Sequence, residues 1–188
     1  DSTLIVEISS VKEPLRKTLQ SMYRQGIAIL SIHPMFGPGA KSLSGKAVMT
    51  IRFGDRNFAA KRFLALLRKR GAKIIWCDFD DHDRMASMLL ALPHFVNITM
   101  LNTLRSMTAD PNLLREIGGT TMKLQLLTAE AVCHEDSDNE TSILLDSRFS
   151  VNVLARFAKE TTAALRIIKR QKRESLVRSL RTCRDFAQ

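Results

Sequence analysis

Up to Phe79 the chain alternates short β-prone apolar runs with amphipathic stretches. Beyond it the spacing of apolar residues is helical throughout. Leu4 to Ile8 alternates weakly and predicts a strand. A helix is expected from about Glu13 to Gln25, with Pro14 in its first turn, Leu15, Leu19 and Met22 on one face, and Gly26 as its stop. Ile27 to Ile32 predicts a buried strand, which Pro34 should end beside His33 because proline cannot donate to a ladder. Gly37-Pro38-Gly39 then turns the chain into a Gly/Ser/Lys-rich loop reaching Gly45. Ala47 to Phe53 and Lys73 to Cys77 read as two more strands. The helix between them is capped by Asp55, runs to about Arg70 with Phe58, Phe63, Leu66 and Leu67 inward, and stops at Gly71. The order strand–helix–strand–strand–helix–strand is that of an α/β unit.

From Asp81 onward the expected breaks are Pro93, Asp110-Pro111, Gly118-Gly119 and the polar run His134 to Thr141. Asp136 to Glu140 reads as an exposed loop. One long final helix is expected from Asp146 or Ser147 to about Cys183, with Phe149, Val153, Phe157, Leu165, Ile168, Leu176 and Leu180 as its apolar stripe. A helix of that length is expected to pack against a second subunit. The fold class is therefore α/β followed by all-α, divided at residues 1–79 and 80–188.

Composition narrows the reading. Hydrophobic content of 45% with 26% charged residues is that of a globular chain of one ordinary domain or two small ones. No uninterrupted apolar run reaches the roughly 18 residues of a membrane span, and the start, Asp1 to Val6, has no basic segment of a signal peptide, so no membrane association is expected. That start reads as entry partway into a larger fold. Cys77, Cys133 and Cys183 are odd in number and widely spaced, which argues for reduced thiols in a cytoplasmic protein and against a zinc site. The net charge of +10 is concentrated in the last helix, where eleven Lys or Arg residues face only Glu160 and Glu174 between Arg148 and Arg184. Such a face can bind a polyanion, but the aromatic and glycine features of RNA-binding modules are missing, so nucleic acid is not the expected partner.

Candidate chemistry centres on His33, an imidazole at the end of an apolar run, suited to proton transfer near neutral pH. Its plain alternative is a histidine that closes a strand. Neither glycine cluster is a cofactor loop. Gly37-Pro38-Gly39 lacks the third glycine of a dinucleotide fingerprint, since position 42 is Ser. The segment Gly39 to Lys46 has one residue too many for a phosphate loop and Ala47 where Ser or Thr would hold magnesium.

Three segments line up in order. Ile32-His33-Pro34-Met35-Phe36-Gly37-Pro38 closely resembles the HPMFGP segment of prephenate dehydrogenases, and Ser10-Val11-Lys12 resembles the SVK motif that precedes it. Asp81-His82-Asp83, followed by Leu92-Pro93-His94-Phe95, resembles the family's E-H-D…L-P-H segment at the same spacing. The resemblance implies a partial Rossmann-like sheet plus a helical dimerisation domain, and oxidative decarboxylation of prephenate or arogenate in tyrosine biosynthesis with NAD or NADP. It also implies a homodimer through the C-terminal helices. By this resemblance His33 takes the proton of the ring hydroxyl and Ser10 orients its imidazole. His94 stands at the substrate pocket wall, Lys12 and His82 lie beside the substrate, and Ser10 and Pro34 adjoin the cofactor. His82 begins the helix that carries His94, and twelve residues at roughly 100° each are expected to bring the two to similar faces. Taken singly, Ser10 is a turn residue, Lys12 a solvated charge, His82 a helix-start residue and His94 a histidine satisfied inside a bundle.

Two departures from the family stand out. Its Gly-rich first turn has no counterpart in this sequence. Its substrate-clamping arginine in the helical part aligns with Ala131, and Lys123, two turns earlier, is the candidate substitute, although a point charge makes a poorer carboxylate clamp than a guanidinium. The alternative reading is therefore a non-catalytic fragment or relative that keeps the dimerisation domain and a ligand pocket without turnover.

Overall fold

The computed structural model describes residues 3–37, 39–53 and 58–188. Four strands, β1 (Ile5–Glu7), β2 (Ile29–Pro34), β3 (Ala47–Ile51) and β4 (Lys73–Cys77), form one sheet in the order β1-β2-β3-β4. β1 and β2 are parallel, β2 and β3 antiparallel, and β3 and β4 parallel. The sheet is a sandwich filling on both faces. Leu30, Ile32 and Val48 pack with Ala60 and Leu64 of α2 (Phe58–Lys69) on one side. Ile29 and Ile51 pack with Leu19 of α1 (Arg16–Arg24) and with Phe79 on the other. The expected first helix begins as a 3₁₀ turn at Glu13–Leu15, and Gly26 (φ +78°) and Gly71 (φ +90°) close α1 and α2 in the left-handed region as anticipated. In α2, Phe58 (72% exposed) and Leu66 face outward, while Ala60 and Leu64 supply the buried face. Asp55, the expected cap, lies outside the described residues.

β2 ends at Pro34, one residue past His33, as expected. It pairs through Pro34, with His33 opposite Met49 and Pro34 opposite Val48. The direction of the backbone donors explains why. Met35 N donates to Ala47 O of β3 at 3.0 Å, so the missing donor of Pro34 falls on the opposite side, where β1 has ended at the Glu7–Ser31 pair. His33 is thus paired with β3 alone, past the end of β1.

Asp78 caps α3 (Phe79–Ala86) through the backbone N–H of Asp81. A π turn, Ser87–Ala91, joins it to α4 (Leu92–Ser106), and Pro93 does not interrupt this 28-residue helix. The lost N–H of Pro93 falls where the π turn has already broken the i→i−4 ladder. By length and mean hydropathy (1.3 in its most apolar window) the helix passes for a membrane span, which the sequence reading did not anticipate. It lies packed against β3, α6, α7 and α8, and His82, Asp83 and His94 are buried along it.

α5 (Pro111–Ile117) and α6 (Thr120–Cys133) follow the expected breaks. Two expectations for the helical part are corrected. Asp136 to Glu140 is not a loop: Asp136 accepts the N–H groups of Asp138 and Asn139 and starts α7 (Ser137–Leu145). The final helix is two helices, α8 (Arg148–Lys169), capped by Ser147, and α9 (Arg173–Phe186). They are separated at Gln171, a non-glycine residue with φ +51°, so no Gly or Pro marked the break.

Candidate functional site

His33, on the central strand β2, is 5% exposed. Its Nδ1 lies 3.0 Å from Nε2 of His82, and Nδ1 of His82 lies 2.7 Å from Oδ1 of Asp83. That same carboxylate oxygen accepts the backbone N–H of Lys12 at 2.9 Å. The line imidazole–imidazole–carboxylate therefore joins β2 to the first turns of α3 and anchors the loop after β1. Burial, with the His82 ring and the Lys12 ammonium nearby, pushes His33 down to about 3, so its imidazole is neutral across the physiological range. Among the described residues its Nε2 has no hydrogen-bonding partner.

Three of the expected site residues are engaged within the protein. His82 is fully buried with both ring nitrogens engaged, one by His33 and one by Asp83. Ser10 does not bond to the His33 ring; its hydroxyl donates to Asn139 Oδ1 of α7 at 3.1 Å. Lys12 offers no free charge. Its side chain is 0% exposed, with Nζ donating to Glu7 Oε2 at 2.8 Å and to the carbonyl of Ile32 at 2.7 Å. Burial lowers the Lys12 ammonium from its usual range, with Glu7 acting against that shift. Burial pushes Glu7 up, but hydrogen bonds from Lys12, Ser31 and Ser9 outweigh it and bring the carboxyl below its usual value.

His94 reaches the same region from α4. Its Nδ1 is in ion-pair contact with the Glu140 carboxylate of α7, next to the Asn139 that holds Ser10. Adjacent residues of α7 thus link Ser10 to His94. In an unbroken α-helix the twelve residues from His82 to His94 would span three and a third turns and leave the two about 120° apart. The π turn absorbs one residue, and the remaining difference is about 20°. The expected shared face therefore comes from the π turn and not from regular helical spacing.

Burial, then the neighbouring Glu135 carboxylate, raises Glu140 to about 7, and burial lowers His94. Both shifts disfavour the charged forms. A carboxyl whose folded pKa is raised keeps its stabilising contribution below about 4.5 and loses it as pH rises towards 7. Glu140→Gln, which keeps an amide donor for His94, is expected to gain on the wild type by on the order of 2 kcal/mol between pH 4.5 and 7 and then level off. Urea unfolding of both forms across that range checks this; a constant difference would refute it.

An open cleft of about 680 Å³ lies beside the strand pair that carries His33, with His33 itself outside its lining. Its walls include Met49, the cross-strand partner of His33, and Met35, two residues further along the same strand face, with Ile75, Trp76, Met85 and Leu89 completing an apolar lining. Asp81 and Arg84 line it as well, joined at 3.2 Å. Lys123 and Ala131 are exposed on α6, and no contact joins either to His33 or His94 among the described residues. Arg84, Asp83, Asn139 and Glu140 are the site residues that the sequence reading did not single out. Asp83 and Arg84 lie in or beside a segment already quoted, and the Asp136 cap was the one local signal for the other two.

The fold and site together define a mixed α/β sheet continued into a helix bundle, with a buried imidazole held where the two meet. Residues 78–182 match the model of the prephenate dehydrogenase dimerisation domain. The chain belongs to the prephenate dehydrogenase family. A probable arogenate/prephenate dehydrogenase of Methanocaldococcus jannaschii is 23% identical over 184 residues, covering 96% of this chain and 41% of the relative. The crystal structure of prephenate dehydrogenase from Aquifex aeolicus superposes with a TM-score of 0.75 at 20% identity, covering 97% of this chain and 66% of that one. A second structure of that enzyme, in complex with hydroxyphenyl propionate and NAD⁺, gives a TM-score of 0.73 at 21% identity, covering 97% and 65%. The chain thus spans less than half of the curated relative and about two thirds of the solved enzyme.

Proposed function

We propose that this chain carries the proton-accepting and dimerising parts of an NAD(P)-dependent dehydrogenase acting on prephenate or arogenate in tyrosine biosynthesis. The observation that supports the reading is His33: a buried, neutral imidazole whose cross-strand partner Met49 lines an apolar cleft, its Nδ1 engaged and its Nε2 without a hydrogen-bonding partner among the described residues. Oxidising a ring hydroxyl to a carbonyl sheds a proton, and a neutral ring nitrogen at the substrate's edge can take it. The apolar walls suit a flat ring, and Arg84 at the cleft is the guanidinium available for a carboxylate.

The nicotinamide, when bound, accepts the hydride. The apolar lining of the cleft suits its ring, while the described residues include no glycine-rich turn for the pyrophosphate; by the family resemblance Pro34 and Ser10 would adjoin the cofactor. Helices from about residue 80 form the substrate-binding and dimerisation part. Exposed apolar side chains along α6 and α8–α9, among them Leu124, Leu127, Val151, Leu165, Ile168 and Leu180, give a homodimer its contact surface. The three cysteines are free, and burial raises Cys77 to about 11, which suits an unreactive thiol in a reducing cytoplasm.

The test uses the polypeptide that the reading frame encodes, with prephenate and arogenate each offered NAD and NADP. Reduction of the nicotinamide with release of carbon dioxide supports the reading. Absence of turnover in all four combinations, with cofactor binding lost by calorimetry, leaves the non-catalytic relative.

A further inference from the structure

We propose that His82 and Asp83 are positioning residues that lock His33 in its Nδ1-protonated tautomer, so that Nε2 is presented as a bare lone pair. The inference follows from donor and acceptor capacities along one line of contacts. The Asp83 Oδ1 atom accepts from the backbone N–H of Lys12 at 2.9 Å and lies 2.7 Å from His82 Nδ1. A carboxylate oxygen only accepts, so His82 carries its proton on Nδ1. In the neutral ring the other nitrogen, Nε2, is then an acceptor. It lies 3.0 Å from His33 Nδ1, which must therefore be the donor. The remaining nitrogen of His33, Nε2, is left unprotonated.

Burial makes this assignment rigid. His82 is 0% exposed and Asp83 2%, so both lie away from solvent. The carboxylate is itself fixed, because Lys12, whose N–H it accepts, is tied to Glu7 and to the carbonyl of Ile32, the residue before His33. The anchor of the relay and the strand that carries its far end are thus parts of one buried network. An unconstrained imidazole favours the opposite tautomer, with the proton on Nε2. Without the partner, Nε2 would be a donor and could not act as a base.

The role in proton transfer rests on the reading of His33 as the base, whereas the tautomer does not. When a substrate hydroxyl gives up its proton, its O–H bond breaks, an N–H bond forms at His33 Nε2, and the Nδ1 proton can pass to His82 Nε2. The positive charge then rests beside the Asp83 carboxylate instead of on the buried His33. His33 is held far on the neutral side, and this displacement of charge is what allows so weak a base to accept a proton.

The chain has four histidines, so ¹⁵N-histidine labelling and long-range ¹H–¹⁵N spectra of the ligand-free chain resolve each ring's tautomer. His33 and His82 are both expected to be protonated on Nδ1 and bare on Nε2. His82→Phe keeps the ring volume and removes the acceptor, so His33 is expected to move to the Nε2-protonated form. His82→Gln, whose carbonyl can accept from His33 while its amide donates to Asp83, is expected to retain the wild-type tautomer. The His94 and His134 signals report whether each variant keeps its fold. In the active polypeptide His82→Phe is expected to lower kcat by about 10²- to 10⁴-fold with little change in the KM for cofactor, and His82→Gln to recover part of it. A wild-type His33 protonated on Nε2, or a tautomer unmoved by His82→Phe, overturns the proposal, even if turnover is observed. A chain that shows these tautomers but no turnover leaves the relay standing and overturns only the functional reading.

Discussion

His33→Asn is expected to lower the rate of NAD(P)-linked oxidation by about 10²- to 10⁴-fold, the range of a lost general base, while leaving the protein folded. The separation between chemistry and folding comes from the geometry. The asparagine amide reaches the place of Nδ1 and can still donate to His82 Nε2, which accepts from His33 in the wild type at 3.0 Å. What disappears is Nε2, the His33 ring nitrogen without a hydrogen-bonding partner among the described residues. The loss should fall on kcat, with cofactor affinity nearly unchanged, because the interaction removed is realised as the proton moves. The pH profile adds a second readout. His33 is pushed down to about 3 by burial and by His82 and Lys12, so an acid limb between pH 5 and 8 cannot arise from it in the free enzyme. Equal rates for variant and wild type, or a fall confined to KM, would remove His33 from the chemistry.

Much of this site was legible because its residues lie in short segments with strong local signals. The apolar run before His33 is a buried strand, the α/β order of the first part is the observed one, and Ser10, Lys12, His33, His82 and His94 fall on elements that meet. What could not be read is how their polar atoms pair, since pairing depends on contacts far apart in sequence. Ser10 meets Asn139 across 129 positions and Lys12 meets Asp83 across 71. A lysine in a loop reads as solvated unless its partner is known. Here Glu7, five residues away on the preceding strand, makes full burial possible. The same holds for α7, whose polar composition suggests a loop although Asp136 is a sound cap. The π turn had no signal that ordinary helical periodicity could show, yet it sets the relation between His82 and His94. The break at Gln171 also lacked one, because the left-handed region there is taken by a residue with no special preference for it.

The same long-range pairing makes Lys12 the position where substitution should cost most stability. Lys12→Met is expected to destabilise the fold by about 3–5 kcal/mol, the range for breaking one side of a buried ion pair. The methionine fills much of the lysine's volume, so the loss is electrostatic. Glu7, 13% exposed, would keep the Ser31 hydroxyl at 2.5 Å and the Ser9 N–H but lose the Lys12 ammonium. The carbonyl of Ile32 would lose its ammonium donor as well. In the wild type the Glu7 carboxyl is held below its ordinary value of 4.5, and a depressed carboxyl contributes stability above that value and loses it as pH falls through its folded pKa. The gap between wild type and Lys12→Met should therefore narrow as pH drops below about 4.5. The double variant Glu7→Gln/Lys12→Met removes both charges and should recover most of the loss, as paired removal of buried ions does. Lys17→Met, at an exposed position of α1, sets the scale for a surface lysine and should change stability by no more than about 0.5 kcal/mol. Urea unfolding of the four proteins at pH 7 decides the matter: if Lys12→Met falls no further than Lys17→Met, the buried network does not hold the His33 strand in place.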